Sequence, residues 1–252
     1  MRKKPPGHVY EKKETMEEFK SQVTDIIDRT PGVKSFRFEK KESMSFRAGQ
    51  YFLLTIDVAG EKRTKPFSFS SSPTEGYIEF TKRITGSDFS KALGLLGLGD
   101  LVGIKMPYGK FTLRDGDRKI ALLSGGIGIT PFRSICKFSS DKKLDVDIVL
   151  LYGNNTENDI IFKDDLDAMQ RKNTRFRAVY TITSPEAIQR GCTCGRTGFI
   201  DECMIDEEIP DHKDRIFYVC GPPAMVDCLV NLLKNKLSIP EDKIIIEHFA
   251  GY

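Results

Sequence analysis

The stretch "LLSGGIGITPF", Leu122 to Phe132, turns from an apolar run into three glycines and then a proline. Together with the preceding "KIA" it predicts a buried strand, a glycine turn and the start of a helix. Gly125, Gly126 and Gly128 permit a sharp turn and the close approach of a phosphate to the backbone. The helix start offers that phosphate unpaired N–H groups and the positive end of a dipole. The segment therefore predicts a dinucleotide site.

Pro131 stands where the common Gly-x-Gly-x-x-Gly pattern has its third glycine. Proline fits the first turn of a helix, where no intrahelical N–H is lost, and Thr130 beside it is a candidate cap. The proline is thus compatible with a helix start. A purely structural glycine turn would give the same pattern.

Apolar strands alternate with helical segments from residue 119 onward. The strands are "KIALLSG", "DVDIVLLYG", "FRAVYTIT", "DRIFYVCG" and "KIIIEHF", and the helices are "PFRSICKFS", "IIFKDDLDAMQRK" and "AMVDCLVNLLKNKL". This pattern predicts a doubly wound α/β domain with a parallel sheet over residues 116–252. A second turn, "YVCGPPAMV" (Tyr218 to Val226), ends another strand, so two turns would face one crevice at the carboxyl ends of the strands.

The chain before this domain consists of strands separated by turns, which predicts an antiparallel β-barrel over residues 21–115. One short helix is expected over Ser90 to Leu96, and "PFSFSSS" is expected to be a strand. "KPFSFSSSP" (65–73) combines a cation, an aromatic ring and serines, which suit a phosphate and a flat ring. "GSDFSKAL" (86–93) is a second candidate anion-binding helix start. Residues 1–20 form a charged N-terminal extension.

Composition limits the possible functions. The net charge of +3 comes from 39 basic and 36 acidic residues, so charge gives no reason to expect a nucleic-acid partner. The apolar runs are too short for a membrane span, and the first residues lack a signal peptide's apolar core, so we expect a cytoplasmic protein. Cys192, Cys194 and Cys203 match no common metal spacing, so we expect no metal and mostly structural thiols.

Six motifs in this order resemble the ferredoxin–NADP reductase family of flavoproteins, over about residues 20 to 252. They read "KPFS", "GSDFS", "YGKF", "GGIGITP", "CGPPAM" and "EHF". The resemblance implies FAD in the barrel, NADH or NADPH in the second domain, and an enzyme that passes hydride from the nicotinamide to FAD and electrons to an acceptor.

The resemblance also assigns roles to residues. It implies that Ser68 lies near flavin N5, Cys220 near the nicotinamide, and Glu247 and Phe249 at the family's terminal acid and aromatic positions, with Tyr252 a rival for the aromatic. Lys65 replaces the usual arginine at the pyrophosphate and cannot form a bidentate clamp, so Arg63 is a candidate helper. The remaining implied cofactor-binding residues are Pro66, Phe67, Phe80, Thr81, Gly86, Ser87, Ser90, Gly125, Gly126, Gly128, Thr130, Pro131, Asn154, Asn155, Gly221, Pro222, Pro223 and Met225.

The donor and the acceptor stay open in the sequence. "NNTENDI" after the second strand of the α/β domain favours NADH slightly, and no Ser-Arg pair follows the third strand, although Arg190 and Arg196 are candidates for a 2′-phosphate. No ferredoxin segment is fused, so we expect a separate acceptor protein, such as ferredoxin, or a partner subunit. The alternatives are a free flavin or ferric reductase, an FAD subunit without independent turnover, and a protein that has lost its cofactors.

Overall fold

The first domain is a curled antiparallel sheet. A computed structural model describes residues 16–189 and 195–249. Six strands, β1 (Glu17–Thr30), β2 (Val33–Glu39), β3 (Tyr51–Val58), β4 (Glu61–Ser68), β5 (Tyr77–Arg83) and β6 (Leu101–Tyr108), pair in the order β4-β3-β6-β1-β2-β5. Helix α1 (Asp88–Gly94) lies between β5 and β6. The predicted antiparallel barrel is confirmed, and β1 begins ahead of the boundary predicted at residue 21.

Alternation explains the barrel's interior. In β3, Phe52, Leu54, Ile56 and Val58 are buried and the residues between them are more exposed, as a strand's period of two requires. These side chains join one core cluster with buried residues of the other strands. The alternation therefore closes the curled sheet around a single apolar interior.

The second domain is a parallel sheet with helices on both faces. Its strands are β7 (Lys119–Gly125), β8 (Asp147–Asn154), β9 (Phe176–Ile182), β10 (Arg196–Thr197), β11 (Ile216–Gly221) and β12 (Ile244–His248), in the order β10-β9-β8-β7-β11-β12. Its helices are α2 (Ile129–Asp141), α3 (Lys163–Lys172), α4 (Pro185–Gln189), α5 (Glu202–Glu208) and α6 (Pro223–Asn235). This arrangement confirms the predicted doubly wound fold.

Strand β7 shows why the apolar runs are continuous. Ile120 and Leu122 pack into a cluster that contains α2 and α3, whereas Ala121 and Leu123 pack into a cluster that contains α5 and α6. Both faces of the strand are therefore buried, as expected for a central parallel strand.

Some sequence-based boundaries were wrong. The short helix runs over Asp88–Gly94 instead of Ser90 to Leu96, because Ser87 caps it and accepts a hydrogen bond from the Ser90 amide. Strand β4 ends at Ser68, and the buried segment that follows it lies outside any strand. Thr130 is not the helix cap: a 3₁₀ turn (Gly126–Gly128) leads into α2, and Thr130 donates to the Ile127 carbonyl.

Candidate active site

A cleft of about 810 Å³ lies between the two domains. It is lined by the end of β4, the end of β5, the start of α1, the glycine turn before α2, and residues 247–249 after α6. The lining contains these sequence-predicted residues: Lys65, Pro66, Phe67, Ser68, Thr81, Ser87, Thr130, Glu247 and Phe249. The structure thus brings together predicted residues that are up to 184 positions apart in the chain, from Lys65 to Phe249.

The barrel wall of the cleft is an aromatic surface that ends in a hydroxyl. The Phe67 ring lies 4.4 Å from the Phe80 ring and 6.0 Å from the Phe89 ring, so the barrel core supports it from below. Phe80 itself is fully buried and stacks on Phe36. Ser68 follows Phe67 as the last residue of β4 and faces the cleft. A flat ring laid on Phe67 would have a hydroxyl at its edge.

Four cationic side chains line the same cleft: Arg63, Lys65, Lys82 and Arg83. Partial burial and the nearby charge of Lys65 lower the pKa of Lys82. Two ammonium groups that repel each other across a cleft are stabilised by an anion bound between them. This cluster fits the pyrophosphate of a dinucleotide cofactor. Lys65 and Arg63 are candidates from the sequence, whereas Lys82 and Arg83 emerge only from the structure.

Helix α1 begins at the same cluster. Ser90 is buried, and its hydroxyl accepts a hydrogen bond from the Thr85 amide at 2.7 Å. Arg63 lies 4.0 Å from Asp88 on this helix. Ser90 therefore shapes the turn that contains Gly86, while Ser87 forms part of the cleft surface.

The glycine turn lies against the "CGPP" turn without room for side chains. A Cβ on Gly128 would be 2.4 Å from the Cys220 carbonyl oxygen, and one on Gly125 would be 2.3 Å from the Met225 sulfur. Gly126 has a φ of +51° and open space around its Cβ position. Tyr152 donates to the Gly126 carbonyl at 2.8 Å and fixes the turn. The turn thus exposes backbone rather than side chains, which suits a phosphate.

Pro131 lies in the first turn of α2, as the sequence predicted, and is buried there. At the facing turn, Gly221 ends β11, Pro222 precedes α6 and Pro223 is its first residue. Met225 packs between the two turns, 2.5 Å from the position of a Cβ on Gly221. These residues therefore fix the shape and the spacing of the two turns that border the crevice.

Three polar groups lie in one row at the carboxyl ends of the sheet. Cys220 is in register with Ser124 on β7 and with Glu247 on β12. Burial, and then the charge of Glu247, raise the pKa of the Cys220 thiol well above its usual range. Burial raises the pKa of Glu247 to about 7. Within the described part of the chain, neither Ser124 Oγ nor Glu247 Oε2 has a hydrogen-bond partner.

Glu247 faces the cleft, whereas Cys220 is fully buried behind it. A buried carboxyl oxygen without a partner at the cleft wall fits a polar ligand that supplies the missing hydrogen bond. Ser124 is a further candidate of this row, and its place after four apolar residues at the end of β7 was the available sequence signal.

The terminal aromatic Phe249 lines the cleft, and its amide donates to the Gly221 carbonyl at 3.1 Å. The segment after β12 is therefore tied to the "CGPP" turn. Tyr252, the rival for the flavin-covering position, lies outside the described residues, as do Cys192 and Cys194. No group of three or more His, Cys, Asp or Glu side chains suited to a metal occurs within residues 16–189 and 195–249.

The segments predicted to bind the adenosine part of the nicotinamide dinucleotide follow β8 and β9. Asn154 is buried at the end of β8 and its carbonyl accepts from the Thr183 amide at 2.9 Å. Asn155 accepts from the Thr183 hydroxyl at 3.2 Å. The Ser184 hydroxyl donates to Glu186 at 2.6 Å and lowers the pKa of that carboxyl. A carboxylate thus stands where the two strands end.

Arg196, a candidate for a 2′-phosphate, is engaged elsewhere. Its Nε donates to Glu208 at 2.7 Å, and its guanidinium also pairs with Glu207. The second candidate, Arg190, lies outside the described residues.

Comparison with known proteins assigns both halves of the chain. Residues 21–113 match the oxidoreductase FAD-binding domain, and residues 122–231 match the oxidoreductase NAD-binding domain. NADH-cytochrome b5 reductase 1 of Dictyostelium discoideum is 31% identical over 211 residues, which are 79% of this chain and 71% of that protein. One component of the Na⁺-translocating NADH-quinone reductase of Yersinia pseudotuberculosis is 29% identical over 213 residues, which are 77% of this chain and 51% of that component.

Solved structures share the fold. An Amycolatopsis cytochrome P450 reductase superposes with a TM-score of 0.79 at 22% identity, covering 93% of this chain and 70% of that one. A ferredoxin–NADP⁺ reductase from Neisseria gonorrhoeae, with bound FAD and NADP, superposes with a TM-score of 0.74 at 20% identity, covering 92% of this chain and 98% of that one.

The fold and both domain matches define a flavin-dependent NAD(P)H oxidoreductase. The chain belongs to the ferredoxin–NADP reductase family, as its six motifs predicted. Within the described residues, no helix has both the length and the apolar character that a membrane crossing needs.

Proposed function

We propose that this protein is an NADH-dependent, FAD-containing reductase that delivers electrons to a separate redox protein or partner subunit. The observation that carries the proposal is the interdomain cleft in which Phe67, Ser68, Glu247 and the cationic cluster meet. FAD bound there would supply the chemistry, because it accepts one hydride, which carries two electrons, and can release those electrons one at a time.

The chain's own groups perform binding, orientation and exclusion of water. Lys65, with Lys82 and Arg63 beside it, would hold the pyrophosphate, and Phe67 would support the flavin ring. Ser68 would donate a hydrogen bond at the flavin edge. The backbone of the glycine turn would hold the nicotinamide dinucleotide, and Phe249, which lines the cleft, would cover the flavin.

Glu247 would form the far wall of the nicotinamide site, and Cys220 lies fully buried behind it. With a pKa raised to about 7 by burial, the Glu247 carboxyl is protonated in about half of the molecules at pH 7, and the protonated form can donate a hydrogen bond to the carboxamide. Burial raises the pKa of the Cys220 thiol, so the polarizable group behind Glu247 stays uncharged. When Glu247 is protonated, this wall places no charge beside the nicotinamide.

The preference for NADH rests on the adenosine end. Glu186 is held ionised by Ser184, and a carboxylate repels a 2′-phosphate while it accepts a hydrogen bond from a 2′-hydroxyl. Arg196 is occupied by two glutamates. We expect kcat/KM to be higher with NADH than with NADPH, and Glu186→Gln to narrow the difference. Equal values for both cofactors in the unaltered protein would contradict the preference.

The proposal of a protein acceptor rests on the names of relatives. The matched proteins include a subunit of an NADH-quinone reductase and the reductase component of a propane 2-monooxygenase from Mycolicibacterium goodii, which is 25% identical over 243 residues. Each of these names describes a reductase that is one part of a larger system. A free flavin or ferric reductase is the alternative, and steady-state turnover with free FMN or ferric citrate as the only acceptor tests it.

The first experiment is an anaerobic titration of the purified protein with NADH and then with NADPH, followed in the visible spectrum. Bleaching of a bound flavin by stoichiometric NADH supports the proposed reaction. A protein that neither contains nor rebinds FAD refutes it. Rapid reduction by NADH with slow turnover on small acceptors supports a protein acceptor, whereas fast turnover on free flavin favours the alternative.

A further inference from the structure

A buried arginine joins the two domains behind the cleft. Arg133, on the first turns of α2, has a side chain only 4% exposed. Its guanidinium makes a bidentate ion pair with Glu75 of the barrel, at 2.6 and 3.0 Å. The same group pairs with Asp165 of the nucleotide domain at 2.9 Å. Although burial opposes it, the hydrogen bond and charge of Arg133 lower the pKa of Glu75.

Two side chains of α2 also hold the backbone that follows Ser68. Arg133 donates to the Ser70 carbonyl at 2.8 Å, and Ser134 donates to the Ser71 carbonyl at 2.6 Å. Ser70 is fixed from the barrel side as well, because its hydroxyl donates to the buried Glu79 at 2.8 Å. The end of β4 is therefore anchored to the nucleotide domain within a few residues of the proposed flavin contact.

A stacked aromatic side chain completes the arrangement. Phe162 of the nucleotide domain lies under the Arg133 guanidinium at 5.3 Å and under the Arg29 guanidinium of the barrel at 4.8 Å. Phe162 has a φ of +62°, a left-handed conformation that a bulky residue adopts only where its surroundings enforce it. The contacts at this ring thus hold one geometry between the domains.

The chain connections from this contact to the cleft are short on both sides. Ser70 is two residues from Ser68, and Arg133 is three residues from Thr130, which lines the same cleft as Ser68. A displacement at Arg133 therefore changes the distance between the barrel wall and the glycine turn. Rates of transfer between two bound groups are sensitive to such changes, since a shift of about 1 Å costs on the order of a hundredfold.

We propose that Arg133 is a positioning residue, which sets the distance between the nicotinamide and the flavin by fixing α2 to the segment after Ser68. The effect of Arg133 on the transfer rate rests on the proposed function. The contacts that anchor α2 to the barrel do not depend on that function. The contact leaves the cofactor-binding groups untouched, so its loss slows the transfer step without weakening nucleotide binding.

Arg215 provides a matched control. Its side chain is 7% exposed, and it pairs with Asp147 at 2.5 Å and with Asp211 at 2.6 Å. It also donates to the Ile120 carbonyl at 3.1 Å. All of these partners lie in the nucleotide domain, at the opposite ends of the strands from the cleft. Arg215→Met thus removes an equally buried, doubly paired arginine without touching the barrel.

The test compares Arg133→Met, Arg133→Lys and Arg215→Met by anaerobic stopped-flow reduction of the flavin with NADH. We expect Arg133→Met to lower the limiting reduction rate by roughly ten- to a hundredfold with an unchanged Kd for NADH. Arg133→Lys should recover part of the rate, because lysine keeps the charge but loses the bidentate geometry. Arg215→Met should stay within about twofold of the unaltered protein.

Amide hydrogen exchange provides a readout that does not depend on catalysis. The segment 69–76 should exchange faster in Arg133→Met and remain protected in Arg215→Met. If Arg133→Met fails to fold, Glu75→Gln removes the barrel's partner charge instead. This variant should reduce the flavin several-fold more slowly than the unaltered protein, and its segment 69–76 should exchange several-fold faster.

The outcomes separate the two proposals. Equal slowing by Arg133→Met and Arg215→Met, or unchanged exchange of the segment 69–76, would overturn the positioning role. A flavin that NADH does not reduce in the unaltered protein would overturn the proposed function, and the exchange measurement would then still decide whether Arg133 anchors the segment.

Discussion

The buried carboxyl of Glu247 gives the protein a stability that falls as pH rises. Burial raises its pKa from 4.5 to about 7, and its Oε2 has no hydrogen-bond partner among the residues that the structure describes. Between these two pH values the folded chain keeps a proton that the unfolded chain releases. Because the folded state then binds more protons, the free energy of unfolding decreases with increasing pH across this window.

The size of the effect follows from the shift. At about 1.4 kcal/mol for each pKa unit, a shift from 4.5 to about 7 corresponds to roughly 3 kcal/mol. Glu247→Gln keeps the shape and removes the ionisation. We therefore expect the variant to match the unaltered protein near pH 4 and to exceed its free energy of unfolding by up to roughly 3 kcal/mol near pH 8.

Urea unfolding of both proteins at several pH values between about 4 and 8 measures this difference. Glu42→Gln, at an exposed position of the barrel, is the control and should show no pH-dependent difference. A stability difference between Glu247→Gln and the unaltered chain that stays constant with pH would refute the reasoning, since it would mean that the Glu247 carboxyl has the same pKa in the folded and the unfolded state.

Three further substitutions test the cleft. Gly128→Ala places a Cβ 2.4 Å from the Cys220 carbonyl oxygen. It should therefore weaken NADH binding at least tenfold in a titration and lower the stability by about 1–3 kcal/mol in a thermal melt. Gly94→Ala is the control, because the space around Gly94 is open, and it should change neither quantity. Lys65→Arg should tighten FAD binding several-fold, because a guanidinium holds two phosphate oxygens, and Lys65→Ala should weaken it about tenfold, as measured by flavin fluorescence. Ser68→Ala should slow flavin reduction by NADH at least tenfold with FAD affinity unchanged, and an unchanged rate in stopped flow would remove Ser68 from the proposed mechanism.

The parts of the fold that the sequence predicts well are those in which local pattern and burial agree. The run at β7 is apolar throughout because the strand is covered on both faces, and β3 alternates because it is covered on one. Helices α4 and α5 were missed. Helix α5 carries four acidic residues over Glu202–Glu208 and buries only Met204 and Ile205, so its apolar pattern is too sparse to detect, although Asp201 caps it.

The residues of the candidate site also fall into those that a local sequence pattern predicts and those that it does not. Glycine turns and the Ser68 motif are local in sequence, so resemblance to the family was enough to select them. Lys82 and Arg83 were missed because a charged pair at the end of a strand has the same pattern as an exposed strand end. Only the curling of the sheet, which brings β5 opposite β4, places them on the cleft with Lys65.

The contact at Arg133 shows why the remaining information is not local. In the sequence, Arg133 is one of three charged residues in a helix that buries most of its other side chains, and its partner Glu75 is 58 residues away in another domain. An arginine at that position is buried where the surfaces of the two domains meet, and its cost of desolvation is offset only if both carboxylates and the Ser70 carbonyl are in place. Residues that contact cofactors are thus selected by short motifs, whereas residues that set the distance between the cofactors are selected by how the domains dock. The second group is therefore where a reductase of this family can differ in rate while its motifs stay the same.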